Sequence, residues 1–137
     1  MYHTMLAEAT TLFFLVGRLL FGGFFIMSGA NHFMQQEGSK QYAASKGVPS
    51  PEMMVPLTGV MMIAGGAGIL LGVYIQLSVA LLVIFLLTAA FKMHDFWTVA
   101  DPMQKMIQML LFMRNLALTG AALMLLAIPQ PWEYSLW

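Results

Sequence analysis

The chain has 137 residues, of which 60% are hydrophobic and only 9% charged, with a mean hydropathy of +0.79; this excludes an ordinary water-soluble domain. Six lysines and arginines balance six acids, so no basic face neutralises a phosphate backbone, and nucleic acid is excluded as a partner. Cysteine is absent, which removes thiol exchange, thiolate metal sites, cysteine-ligated iron–sulfur clusters and c-type haem attachment.

At about 1.5 Å rise per residue, spans of roughly 20–25 residues consume most of the sequence in four crossings. The expected architecture is all-α, a single-domain integral membrane four-helix bundle surrounded by membrane lipids, with a polar loop between spans one and two. Span one is expected at about 11–34, interrupted by Arg18 and, near its end, by Ser28, Asn31 and His32. No lysine or arginine precedes it and it is too long for a signal-peptide core, so it reads as a retained span. From 35 to 52 the composition turns polar, with Glu37, Lys40, Gln41, Lys46 and the breakers Gly47, Pro49 and Pro51; a short interfacial helix is expected at about 39–46.

Span two, about 53–71, carries Ala64, Gly68 and Gly72 at spacings of four, a pattern that lets a neighbouring backbone approach closely. The short Gly72-Val73 turn makes span three, about 74–91, its antiparallel neighbour. The segment from Lys92 to Pro102 collects His94, Asp95 and Trp97 and ends in Asp101-Pro102, a helix N-cap followed by proline at the first helical position. Span four is expected at about 103–128, stopped by Pro129 and Pro131. Trp132, Tyr134 and Trp137 are expected to form an aromatic belt. With four spans both termini share one side, and Lys40, Lys46, Lys92 and Lys105 all lie on the side of the long loops. The positive-inside rule then places those loops in the cytoplasm.

A charge in hydrocarbon costs at least roughly 2.5–3.5 kcal/mol, which singles out Arg18 and Arg114. Both are expected to reach one central cavity, because each lies a few residues from its span's midpoint. The nearest acids are Glu8, Glu52 and Asp95, none of them within an apolar run. If Asp95 folds back onto Arg114, Arg18 is left with Glu8 or backbone carbonyls, and the positive potential remaining suits a quinone head group, a lipid phosphate or a small oxyanion. A structural clamp of Asp95, Arg114 and Asn115 is the plainer reading of the same residues.

His32 and His94 end two parallel spans at one surface, placed to face each other across a pocket with Asn31, Asp95 and Trp97, or to act as caps. Two histidines without further ligands at diagnostic spacing argue against haem or another metal. Met103, Met106, Met109 and Met113 on span four, like Met53, Met54, Met61 and Met62 on span two, read as adaptable filler rather than a copper path. No paired-carboxylate site, nucleophile–base pair or phosphate loop is present, which argues against self-contained hydrolytic catalysis.

The segment Phe91-Lys92-Met93-His94-Asp95-Phe96-Trp97, then Asp101-Pro102, then Phe112-Met113-Arg114-Asn115-Leu116-Ala117-Leu118, resembles the bacterial DoxX family. Gly22-Gly23, Ser28-Gly29-Ala30-Asn31-His32-Phe33, Tyr42-Ala43-Ala44, Gly47-Val48-Pro49 and Leu57-Thr58-Gly59-Val60 match that family's pattern in order, so the resemblance runs from about Arg18 to Leu126. It implies a four-helix protein of the bacterial inner membrane, associated with quinone-linked or respiratory oxidoreductases. Some relatives look like membrane subunits of a thiosulfate:quinone oxidoreductase, and others associate with superoxide-detoxifying and sulfur-transferring enzymes. Family habit also places both termini in the cytoplasm, opposite to the lysine count. Two positions depart from the pattern: Lys92 stands where an apolar residue is common, and Arg114 where lysine is common. Arginine keeps the cation and adds a bidentate fork.

Two functions follow. In the first, the protein is a membrane subunit of a quinone-linked oxidoreductase system with redox-enzyme partners or a second copy of itself. His94 and Asp95 handle the proton as catalytic residues, while Arg18, Asn31, His32, Trp97, Arg114 and Asn115 bind the quinone. In the second it is a non-enzymatic scaffold, assembly factor or small-molecule carrier, in keeping with the missing catalytic set and the glycine-lined helix face.

Overall fold

The computed structural model describes residues 1–135. Five α-helices follow in order, α1 (Tyr2–Met34), α2 (Gln36–Ser45), α3 (Pro51–Leu71), α4 (Ile75–Met93) and α5 (Pro102–Leu125), with a 3-10 turn at Phe96–Thr98 before α5. Four of them, α1, α3, α4 and α5, are long and apolar enough to cross a membrane, and α2 is the short polar helix of the first loop. The helix of span one starts at Tyr2 rather than near residue 11, because Tyr2 to Thr10 contains neither glycine nor proline to stop it.

Antiparallel α1 and α3 form the closest seam, and glycine is the reason. A β-carbon on Gly22 would lie 2.6 Å from the Gly66 carbonyl oxygen, and one on Gly29 would lie 2.6 Å from that of Gly59. In lipid no hydrophobic force draws helices together, so attraction depends on such close backbone contact. The next seam, α3 on α4, seats Leu82 against Gly65 and the Ser78 hydroxyl against Gly68. Of the stripe expected on this helix, Gly68 packs, whereas Ala64 is exposed and Gly72 has a different task. At φ 72° Gly72 is the left-handed C-cap of α3, a conformation that glycine adopts without steric cost.

α5 then packs on α4, and its start is as expected: the Asp101 carboxylate accepts from the Gln104 N–H at 3.0 Å, with Pro102 at the first helical position. The seams thus run α1–α3–α4–α5, and α5 makes no comparable contact back to α1 among the described residues. Phe25, Met62, Ile69, Ile75, Val79, Leu82, Leu86, Ala122 and Trp132 form the core, with Phe14, Phe21, Leu118 and Leu125 against it. This core fills the half of the bundle near the termini. The half near the loops encloses a cavity.

Trp132 departs from the expected aromatic belt. It is 3% exposed and packs edge-on against Phe14 at 5.0 Å, because the chain after α5 folds back onto the bundle. Tyr134 remains exposed, and Trp137 lies outside the described residues.

Candidate functional site

The two intramembrane arginines do not share a cavity, which corrects the expectation from the sequence. Arg18 lies at the level of the last turn of α3 and is 3% exposed. Its Nε donates to Ile69 O at 3.2 Å and its Nη2 to Leu70 O at 2.9 Å. Nη1 donates to Glu133 O at 2.7 Å, and Nη2 also reaches Tyr134 O at 3.4 Å. The last carbonyls of a helix have no intrahelical partner and carry its partial negative charge, so α3 supplies a natural acceptor for a guanidinium. The ring faces of Phe14 and Trp132 lie 5.7 and 5.5 Å from its central carbon. Arg18 is therefore a knot joining α1, the end of α3 and the C-terminal segment, with each of its three nitrogens donating to a main-chain carbonyl.

Arg114 is the opposite case. Midway along α5, it makes no hydrogen bond or ion pair among the described residues; its guanidinium rests 6.0 Å from the centre of the Phe24 ring and its side chain is exposed. Beside it, Asn115 is 4% exposed. The Asn115 amide donates a long, 3.5 Å hydrogen bond to Leu86 O, and its side-chain oxygen has no donor among the described residues.

These two residues border a cavity of about 390 Å³ that extends toward the loops, within the size range of small-molecule sites. Its wall is mostly apolar, with Phe25, Met62, Phe85 and Leu86 deep inside. The polar groups are Ser28, Asn31 and His32 of α1, Ser39 and Tyr42 of α2, Thr58 of α3, Thr88 and Lys92 of α4, then His94, Arg114 and Asn115. No carboxylate is among the lining residues, so two cations meet no acid there.

Both histidines have a fixed orientation. His32 Nδ1 lies 3.0 Å from Ser28 O, and His94 Nδ1 lies 2.9 Å from Gln108 Oε1. Each partner oxygen can only accept, so Nδ1 donates in both rings, and neither Nε2 has a hydrogen-bond partner among the described residues. Gln108 is the positioning group that sequence reasoning missed; its signal is a glutamine within an otherwise apolar stretch, between Ile107 and Met109.

Asp95 and Trp97 fall outside the cavity wall. Asp95 does not fold back on Arg114: its Oδ1 pairs with Lys46 Nζ at 2.7 Å and its Oδ2 accepts from the Thr98 hydroxyl at 3.0 Å. The hydrogen bond to Asp95 holds the Lys46 ammonium above the usual lysine range, against a smaller opposing effect of burial. Lys46 wins because it follows α2 at the loop surface, while Arg114 lies deeper. Trp97 instead packs with Phe91, Phe96 and Phe112 at ring distances of 6.4, 5.3 and 5.7 Å, fixing the corner before α5.

α2 roofs the cavity. Ser39, Tyr42, Ala43 and the following Val48 contribute to its wall, and the Tyr42 hydroxyl donates to Met93 O at 3.0 Å. Lys40 adds an ion pair to Glu52 at 3.2 Å. The methionine stripe Met103, Met106, Met109 and Met113 faces outward and lines no path, and no group of three or more histidine, aspartate or glutamate side chains placed to hold a metal occurs among the described residues.

Comparison with known proteins matches this arrangement to a family. The model described as DoxX matches residues 13–95, which runs from within α1 to just past the end of α4 and stops before Arg114. A curated relative, "Inner membrane protein YqjF" of Escherichia coli (strain K12), is 33% identical over 122 residues, covering 89% of this chain and 87% of the relative. No solved structure matches the chain. The chain belongs to the DoxX family, and it is a multi-pass integral membrane protein.

Proposed function

We propose that this DoxX-family chain is a bacterial inner-membrane subunit of a quinone-linked oxidoreductase system and that the loop-side cavity receives the quinone head. The observation that carries this reading is the Arg114 guanidinium, without an acid or carbonyl partner among the described residues, at the edge of a cavity with no carboxylate among its described lining residues. The inner-membrane placement is supported by the relative YqjF, an inner membrane protein by name, and the oxidoreductase link by what the family resemblance implies.

The residues fit such a head. An apolar wall accepts a ring, and hydrogen-bonding groups of both kinds converge on the cavity. A bound quinone would supply reversible uptake of two electrons and two protons. Arg114 donates to a ring oxygen and stabilises negative charge on it. Asn115, held by Leu86 O, orients that oxygen. His94, with Nδ1 fixed by Gln108, presents Nε2 to hold or pass a proton. His32 presents a second Nε2 from the opposite helix. Of the residues assigned from sequence, Arg18 and Trp97 as quinone binders and Asp95 as a catalytic residue have no direct part in this scheme; Asp95 acts through the roof it fastens.

The test is organic extraction of the purified protein, with quinone identified by absorbance and mass, on wild type and Arg114→Leu. Quinone in wild type and its loss from a variant with an unchanged melting temperature supports the reading; equal retention in both overturns the site. A wild-type extract free of quinone, with other membrane enzymes co-purifying, favours the scaffold or assembly role.

A further inference from the structure

The cavity has two candidate entrances, and they are closed to very different degrees. On the loop side, α2 is fastened across the opening by the Lys46–Asp95 pair at 2.7 Å, the Lys40–Glu52 pair at 3.2 Å and the Tyr42–Met93 hydrogen bond at 3.0 Å. Those three ties reach α3, the end of α4 and the corner beyond it. On the lateral side no such tie exists among the described residues. Among the described residues the seams run α1–α3–α4–α5 with no comparable seam from α5 back to α1, and there Phe24 of α1 and Arg114 of α5, both lining the cavity, meet with the guanidinium 6.0 Å from the ring centre.

Phe24 is 40% exposed and Arg114 is exposed beside it. One turn away on the same helix faces stand Leu20 and Met27 on α1, Leu110 and Ala117 on α5, all exposed. A cation ringed by apolar side chains at this depth faces hydrocarbon, where its donors have no water. Volume adds a second constraint: about 390 Å³ holds a head group and the first carbons of a tail, so the remainder of a long tail must leave the protein.

We propose that the gap between α1 and α5 at Phe24 and Arg114 is a lateral portal. Through it an amphiphile with a hydrogen-bond-accepting head and a long hydrocarbon tail enters from the bilayer. The head passes Arg114 to reach Asn115 and the histidines; the tail stays between α1 and α5, against Leu20, Met27, Leu110 and Ala117. This rests on the cavity being the head-group site, and it adds that the ligand is recruited from the membrane and keeps its tail there.

The experiment uses the intact protein in zwitterionic nanodiscs with an isoprenoid-tailed benzoquinone carrying a diazirine on the tail. Photolabelled residues are mapped by mass spectrometry, with and without an excess of the unlabelled long-tailed quinone, and retained quinone is measured in parallel. The portal predicts that labelling concentrated on Leu20, Met27, Leu110 and Ala117 falls at least fivefold under competition. Competed labelling confined to Ser39, Tyr42 and Val48, with quinone retained, overturns the portal and leaves the cavity reading standing. Retained quinone with no competed labels on α1 or α5, in a dimeric protein, also overturns it, because a second copy then covers the gap. Neither retained quinone nor competed label overturns the cavity reading and the portal together.

Discussion

Lys46 Nζ lies 2.7 Å from Oδ1 of Asp95 and joins the end of α2 to the corner between α4 and α5. The pair lies away from the cavity wall, yet it fastens the helix that roofs the cavity. An ion pair near the surface contributes only about 0–1 kcal/mol. Asp95→Asn is therefore expected to leave the melting temperature almost unchanged while tryptic cleavage after Lys40 and Lys46 accelerates. Cleavage at the wild-type rate would show that α2 is held by other contacts.

The same pair sets a pH dependence. Its partner raises the Lys46 pKa in the folded protein, so its contribution is fully present below the ordinary lysine value of about 10.4 and is lost as pH rises through the raised value. Tryptic resistance of α2, compared between wild type and Asp95→Asn, is expected to differ at pH 8 and to converge on the alkaline side above that value. Convergence already at pH 8 would remove the ion pair from the account.

Arg18→Met is expected to destabilise the bundle by about 3 kcal/mol, since hydrogen bonds to charged groups contribute roughly 1.5–3 kcal/mol each and the variant leaves the carbonyls of Ile69, Leu70 and Glu133 without their donor. Glu133 is exposed, so a glutamate-specific protease is expected to cut the released C-terminal segment faster. Quinone retention is expected to survive in the fraction that remains folded. A melting temperature equal to wild type would mean that the knot is ornamental.

Gly22→Val places a side chain against the Gly66 carbonyl and forces α1 away from α3; overpacking of this kind costs about 1–3 kcal/mol or more. Gly23→Ala is the matched control. Nothing lies within 4 Å of its added carbon, and removing glycine from a helix interior is expected to gain up to about 1 kcal/mol. Thermal melts in detergent, followed by circular dichroism, should move in opposite directions for the two variants.

Asn115→Leu keeps the branching and heavy-atom count of the side chain, enlarges it beside an open cavity and loses only a 3.5 Å hydrogen bond to Leu86 O, so stability is expected to change by less than about 1.5 kcal/mol. Loss of the orienting amide is expected to weaken quinone binding roughly tenfold, the equivalent of about 1.4 kcal/mol. Titration in nanodiscs measures it, and unchanged affinity would place the head elsewhere in the cavity.

Hydropathy located the spanning helices because long apolar runs report directly on the solvent that surrounds them, and the Gly72 turn and the Asp101-Pro102 cap emerged because their backbone geometry demands those residues. Arg18 was misread because its partners are main-chain oxygens, which have no letter in a sequence. Only the glycine that ends α3 hinted that a helix terminus lay beside it. Asp95 was misassigned because the choice between Lys46 and Arg114 depends on depth in the bilayer rather than on charge. Trp132 looked like a surface aromatic since nothing after Pro131 indicates that the chain turns back. The cavity polar set was legible at His32, His94, Arg114 and Asn115, whereas Gln108 and the roof contributed by Tyr42 required the packing of separate helices.

The extent of α1 leaves the molecule lopsided. Arg18 is level with the final turn of α3, so the part of α1 from Tyr2 to Gly17 overhangs the α3–α4 hairpin by roughly 24 Å at about 1.5 Å per residue. That overhang carries outward-facing Leu6 and Phe13, with Thr4, Glu8, Thr11 and Leu12 turned toward the returning C-terminal segment. A thicker bilayer simply wets more of this arm with acyl chains, and a thinner one lets it lean into the headgroups. A change in lipid chain length is therefore expected to act first on this arm, at the opposite end of α1 from the chamber.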